Sequence, residues 1–168
     1  MAVIKLIHSS GSINKIIDYV LNKDKTEERL ISGKDCSPNK IAIDEMNTTK
    51  NLYNKTDGRS YDHIIQSFKP GEVSPEGAHK IGIELAEKQF KGFEVLIATH
   101  KDKEHIHNHL IINSVSFEDG RKLHSTMQFL KDIKKESNRI CEREHLSVID
   151  KPYAPEVYDM AELKLAEK

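Results

Sequence analysis

Apolar and polar positions alternate over residues 2–8, which predicts a strand, and Ile13, Ile16, Ile17, Val20 and Leu21 then recur at the spacing of one helix face, opened by Gly11-Ser12. Residues 29–32 predict a short strand. Ser37-Pro38 predicts the cap of a helix running to about Tyr53, and Thr56-Asp-Gly-Arg-Ser a loop. Tyr61 to Phe68 alternates like a strand and stops at the turn Lys69-Pro-Gly-Glu. Ser74-Pro75 opens a helix through Ala78, Ile81, Leu85 and Phe90, which Gly92 ends. Two apolar runs follow, Phe93 to Thr99 and Leu110-Ile-Ile, and the polar Lys101-Asp-Lys-Glu between them predicts a hairpin. After a turn at Glu118-Asp-Gly, Ser125 and Gln128 predict a capping box for a helix to about Glu144, with Phe129, Ile133, Ile140 and Cys141 inward. Strands interleaved with helices, the central pair joined as a hairpin, imply an α+β fold. The expected form is a two-layer sandwich: a mostly antiparallel central sheet with the His-x-His strand in its middle and helices packed against it.

Residues 1–150 are expected to form one domain. Residues 151–168, with Pro152, Pro155 and a charged end, are expected to be a peripheral extension or to lead into a further domain. A chain of 168 residues, 37% hydrophobic and 32% charged, suits a soluble domain with a proper core. The absence of a leader and of any apolar run of membrane length points to a cytoplasmic protein without membrane insertion. Cys36 and Cys141 lack metal-type spacing and read as small buried thiols. A net charge of −1 gives no general attraction for nucleic acid, so positive charge for such a partner must be local or carried by a metal.

Four of the nine histidines fall between His100 and Asn113, in the run His-Lys-Asp-Lys-Glu-His-Ile-His-Asn-His-Leu-Ile-Ile-Asn. Side chains two apart on a strand point the same way, so His105, His107 and His109 are expected on one face. The hairpin returns His100 beside them. Three imidazoles make an open site with positions left for water or substrate, as in catalytic rather than structural metal centres. Asp102 is placed to accept a ring N–H or a proton. The plainer alternative is a hairpin of surface histidines that binds metal adventitiously. Tyr19 falls roughly 130° from the centre of the first helix's apolar stripe, among Lys15, Asn22 and Lys23. On this feature alone it reads as a surface or interface residue, and Tyr53 and Tyr61 as packing residues.

Together these residues resemble the N-terminal domain of conjugative and mobilisation relaxases of the MobA/MobL type, within the superfamily of His-hydrophobic-His DNA-nicking enzymes. Three stretches carry the resemblance: Ser12 to Thr26, His63-Ile-Ile-Gln-Ser-Phe-Lys-Pro-Gly-Glu72, and His100-x-Asp102-x4-His107-x-His109-x3-Asn113. The resemblance implies that Tyr19 is the nucleophile and that His100, His107 and His109 hold one divalent metal, while His105 lies where the family varies. It suggests manganese or magnesium in the cell. Imidazole ligands also admit zinc, nickel or cobalt in vitro. The implied reaction is site- and strand-specific nicking and rejoining of single-stranded DNA at an origin of transfer, through a 5′-phosphotyrosine, starting plasmid or transposon transfer.

A phenol with an ordinary pKa of about 10 needs help at neutral pH, for which Asp102 and then Glu72 are the candidates. DNA contacts are expected from Lys15, Lys23 and Lys25, from His63, His105 and Asn113, and from Lys131, Lys134 and Lys135 on the last helix. A solvated helix face is the alternative for each lysine. Accessory proteins of the relaxosome and a coupling protein are the expected partners of a monomer. Two other functions share parts of the pattern. A rolling-circle replication initiator uses the same chemistry with its tyrosine usually after the histidines, and a metal-binding regulator needs the histidines alone. The letters His107-Asn108-His109 do not make an HNH nuclease, whose motif residues are dispersed over a hairpin and a helix.

Overall fold

The computed structural model describes residues 2–102, 104–148 and 157–158. β1 (Val3–Ser9) leads into α1 (Ile13–Val20), whose N-cap Ser12 accepts the Lys15 N–H. A 3₁₀ turn (Glu28–Leu30) precedes β2 (Ile31–Lys34), followed by α2 (Ile41–Leu52), β3 (Tyr61–Ser67) and α3 (Pro75–Gln89). The hairpin strands are β4 (Val95–His100) and β5 (His107–Asn113), then come α4 (Met127–Arg143) and the two-residue β6 (Val157–Tyr158). The strands lie in the order β2-β4-β5-β3-β1-β6. All neighbours are antiparallel except β6, which joins β1 in parallel through Leu6–Val157 and Ile7–Tyr158.

The α+β class, the mostly antiparallel sheet and the interior place of the His-x-His strand are as the sequence leads one to expect. The layering is fuller than two. Every residue of β4 and all but the first of β5 are buried, so both faces of the central hairpin need cover. Val95, Ile97, Leu110 and Ile112 pack with Ala78, Ile81 and Leu85 of α3 and Leu130, Ile133 and Ile140 of α4. On the opposite face Leu96, Ala98 and Ile111 meet Ile13, Ile16, Ile17 and Val20 of α1 and Ala42 and Met46 of α2. The apolar stripe read from the sequence is thus the buried side of α1, with Leu21 partly buried beside it.

Four local expectations are corrected. α2 begins at Ile41 rather than at Ser37-Pro38, because the Asn39 side chain accepts the Ile41 N–H at 2.8 Å and Glu45 reaches back to the Ser37 N–H at 2.7 Å, holding that stretch as a turn. α4 is capped by Thr126, whose hydroxyl accepts the Phe129 N–H at 3.1 Å; Ser125 instead donates to Asp62, and Gln128 bonds Asp132. The expected strand 29–32 is a 3₁₀ turn followed by β2. β5 starts at His107, so His105 is in the exposed turn rather than on the strand face. Of the extension 151–168, Pro152, Tyr153 and Pro155 lie outside the described residues.

Candidate tyrosine and histidine site

Strand register assembles the histidines. His100 pairs directly with His107 across the hairpin, and His109, two residues on, points to the same face. On the other side of β5, His63 pairs with Ile111 and so stands diagonally from His109. Ring centroids are 4.1 Å apart for His100–His109, 6.3 Å for His107–His109 and 5.1 Å for His63–His109. This is the face that α1 covers. Turned off its helix's buried stripe, Tyr19 remains 46% exposed, yet its ring lies edge-on to His100 and His109 at 5.8 and 6.0 Å. The helix's apolar contacts thereby set the phenol against the imidazoles.

The loop that leaves α1 is fastened to the end of β4. The Lys101 N–H donates to the Lys25 carbonyl at 2.8 Å, and the Thr26 hydroxyl to the Thr99 carbonyl at 2.6 Å. Lys25 is thereby held with its ammonium 5.5 Å from the Tyr19 ring centroid and 3.2 Å from a carboxylate oxygen of Asp102. That hydrogen bond keeps the ammonium above its ordinary value. Partial desolvation, the largest single effect, works to raise the Asp102 carboxyl, and the hydrogen bond from Lys25, a backbone hydrogen bond and the charges of Lys25 and His100 together outweigh it, leaving the group below its usual range. Asp102 is therefore an ion-paired carboxylate and a weak base. Glu72 is held low by hydrogen bonds headed by the Ser147 hydroxyl at 2.9 Å, which tie it to the chain beyond α4.

Burial, reinforced by the neighbouring imidazoles, holds His109 well below the ordinary histidine value, and burial with the adjacent His100 lowers His63 to about 3. Both are neutral. The His63 Nε2 and His109 Nδ1 share one proton at 2.8 Å, so when His109 donates from Nδ1 its Nε2 lone pair is available to a cation. His63 Nδ1 is buried without a hydrogen-bond partner among the described residues. His100 Nε2 donates to the Val20 carbonyl at 2.9 Å. As the rings stand, no three His, Cys, Asp or Glu side chains among the described residues are closed around one metal position. The donor set nonetheless fits a divalent ion: imidazoles on one sheet face, with His109 held neutral and the His100 tautomer set by the Val20 carbonyl.

The remaining candidates divide by location. Lys15 and Lys23 are exposed on the α1 side with Lys25, whereas Lys131, Lys134 and Lys135 belong to α4, which covers the opposite face of the sheet. His63 is buried against His109 and is not displayed to a ligand. Asn113 is fully buried and donates to the Met46 carbonyl at 3.0 Å and to Glu94 at 2.9 Å, anchoring α2 to β5. His105 is exposed with its ring 4.3 Å from that of His107. Tyr61 is buried, and Tyr53 donates its hydroxyl to the Phe117 carbonyl at 3.2 Å, so both are packing residues. Cys36 and Cys141 are free thiols raised by burial to about 12 and about 11. The sequence reading did not foresee the contact of His63 with His109. Its alternation with His109 across two adjacent strands was the available clue.

Fold and site define an open antiparallel sheet that holds an imidazole cluster against a helix-borne phenol, an arrangement suited to phosphodiester chemistry. The family model for relaxases, described as MobA/VirD2-like, nuclease domain, matches residues 19–146, and the chain belongs to that family. It is 40% identical over 162 residues to a protein rlx of Staphylococcus aureus, covering 96% of this chain and 50% of that protein. It is 31% identical over 138 residues to the group II intron-interrupted relaxase LtrB of Lactococcus lactis subsp. cremoris (strain MG1363), covering 66% of this chain and 24% of LtrB. The chain thus spans about half the length of the rlx relatives it matches. Its fold is similar to that of the MobM relaxase domain solved with Mn and bound to plasmid pMV158 oriT DNA, with a TM-score of 0.61, 15% identity and 99% of each chain covered. A second solved structure, described under the molecular basis of vancomycin resistance transfer in Staphylococcus aureus, has a TM-score of 0.59 at 15% identity, over 91% of this chain and 98% of that one.

Proposed function

We propose that this domain nicks and rejoins a single DNA strand at an origin of transfer through a covalent bond to Tyr19. The observation that carries the reading is the phenol standing edge-on to His100 and His109, off the buried stripe of an amphipathic helix. The phenol oxygen attacks the scissile phosphorus, and the O–P bond forms as the bond from phosphorus to the 3′ oxygen breaks. The phenolic proton leaves to solvent and the 3′ oxygen takes one up, giving a free 3′-hydroxyl and a 5′-phosphotyrosine. Attack by a 3′-hydroxyl on that linkage reverses the step and reseals the strand.

Lys25 stands beside the ring as a cation for the phosphate that Tyr19 attacks, and Asp102 holds Lys25 there. Glu72, engaged by Ser147, is left out of this role. His100, His107 and His109 would hold one divalent ion, manganese or magnesium, which supplies Lewis-acid polarisation of a non-bridging phosphate oxygen. The Mn and oriT DNA in the similar MobM domain support both metal and substrate class. No helix among the described residues is long and apolar enough to cross a membrane. A cytoplasmic, monomeric domain working with accessory and coupling proteins completes the proposal.

Tyr19→Phe tests the proposal, since it removes one oxygen and keeps the ring. With labelled origin DNA and Mn²⁺, the variant is expected to bind DNA and metal like the parent but to form no protein–DNA adduct. A nucleotide found on a Tyr53 or Tyr61 peptide, or cleavage by Tyr19→Phe at the parent rate, refutes the assignment.

A further inference from the structure

Behind the histidines, on the opposite face of the same strands, runs a continuous line of hydrogen bonds, buried throughout except at its half-buried first link. The Ser32 hydroxyl donates to His79 Nε2 at 2.7 Å, and His79 Nδ1 donates to the Thr99 hydroxyl at 2.9 Å. Thr99 in turn donates to Asn108 Oδ1 at 2.6 Å. The Asn108 amide donates to Gln66 Oε1 at 3.0 Å and to the Ala78 carbonyl at 2.6 Å, and Gln66 donates to the Ser137 hydroxyl at 2.8 Å. Every link uses its donor in one sense, from β2 through α3, β4, β5 and β3 to α4. Such a chain polarises along its length and has a single satisfied arrangement, with His79 neutral and protonated at Nδ1. Burial lowers His79, in agreement with that state.

The line crosses the sheet at the rungs that bear the histidines. Thr99 precedes His100, Asn108 sits between His107 and His109, and Thr99 pairs with Asn108 while Asn108 pairs with Gln66. α3 is admitted to this point by Gly82, where an added Cβ would lie 2.8 Å from the Asn108 amide nitrogen. Glycine inside a helix is less stable than alanine, so the close approach sets α3 on Asn108 at the expense of helix stability. An apolar strand pair with polar residues at its most buried rungs is otherwise unexpected, because each group left unpaired there would carry its full desolvation penalty.

We infer that Thr99, Asn108 and Gln66 are positioning residues for the histidine centre: the hydrogen-bond line fixes the two central rungs from behind, and so sets the spacing of His100, His107 and His109 for a divalent ion. The inference rests on the metal reading given under Proposed function. Thr99→Val keeps the shape and deletes the hydroxyl, whereas Thr99→Ser keeps the hydroxyl and loses a methyl. A purely packing role makes the serine variant the worse of the two in every measurement.

The test is titration of parent and both variants with Mn²⁺ by calorimetry and with Co²⁺ by its visible ligand-field bands, alongside thermal melts. Thr99→Val is expected to bind Mn²⁺ about tenfold more weakly and to shift the cobalt bands, as removal of a ligand-orienting partner does. Thr99→Ser should bind within about twofold of the parent, even though it melts lower. Should Thr99→Val fail to fold, Ser137→Ala removes the last acceptor, from α4, and is expected to weaken Mn²⁺ binding by about two- to threefold. Parent affinity and parent cobalt bands in folded Thr99→Val, or in Ser137→Ala where that variant is used, overturn the inference, as does equal weakening by Thr99→Ser. Those outcomes leave the metal reading standing, whereas a parent protein that binds neither ion defeats the metal reading and the inference together.

Discussion

His63 shows how one residue changes meaning when its neighbour is known. The sequence places it in a matched stretch and suggests a DNA contact, whereas its imidazole is buried with Nε2 on His109 Nδ1. His63→Gln is therefore expected to leave single-stranded DNA affinity unchanged in the absence of metal, while weakening Mn²⁺ binding by about 10- to 100-fold. Fluorescence anisotropy and calorimetry read the two effects separately, and a loss confined to DNA binding reinstates the surface reading. At this scale the histidine cluster was legible, since clustered histidines in an apolar strand stand out in one dimension, whereas Tyr19, off its apolar stripe, reads on that feature alone as a surface residue. Engagement was not legible. Asp102 ion-paired to Lys25, Glu72 bonded to Ser147 and Asn113 bonded to Glu94 all depend on partners distant in sequence.

Among elements, α2 carries an unusual load: Lys50 is only 5% exposed and its ammonium has no hydrogen-bond partner among the described residues. Desolvation lowers it to about 8, opposed by the charge of Glu94. Below about 8 the ammonium is charged in both folded and unfolded chains. Between there and its ordinary 10.5 the folded chain releases the proton that the unfolded chain retains. The unfolded state then binds more protons, so this group makes stability rise with pH across that window. The difference in unfolding free energy between parent and Lys50→Met, followed by urea melts from pH 7 to 10, is expected to shift in favour of the parent as pH rises. A constant difference refutes the burial argument. Helix and strand identities were legible from periodicity, but starts were not, because Asn39 and Thr126 outcompete Ser37 and Ser125 through side-chain bonds that periodicity does not encode. The third layer was implicit in the unbroken apolar runs of β4 and β5, which demand cover on both faces.

Across the whole molecule, a net charge of −1 leaves DNA attraction to local patches, and the two lysine groups lie beyond opposite faces of the sheet. Replacing Lys15 and Lys23 by alanine is expected to weaken single-strand binding and flatten its salt dependence by about 0.7 in log–log slope for each phosphate no longer neutralised. Replacing Lys131, Lys134 and Lys135 should leave the slope within error, and the reverse pattern would move the DNA track to the α4 side. Which lysines share a face was illegible before the sheet order was known. That order has a further consequence, in the sequence of events by which the chain folds. Among the described strands only β4 and β5 are both consecutive in the chain and paired, so the ladder bearing His100, His107 and His109 closes over one short turn. Tyr19 reaches them across a far longer separation, 80 residues for the adjoining bond between Val20 and His100. Pairings of short separation form early and survive partial unfolding, whereas distant ones come late and give way first. The imidazole half of the site is therefore a durable local structure, and the alignment of the phenol upon it is the feature that reports whether the whole chain has folded.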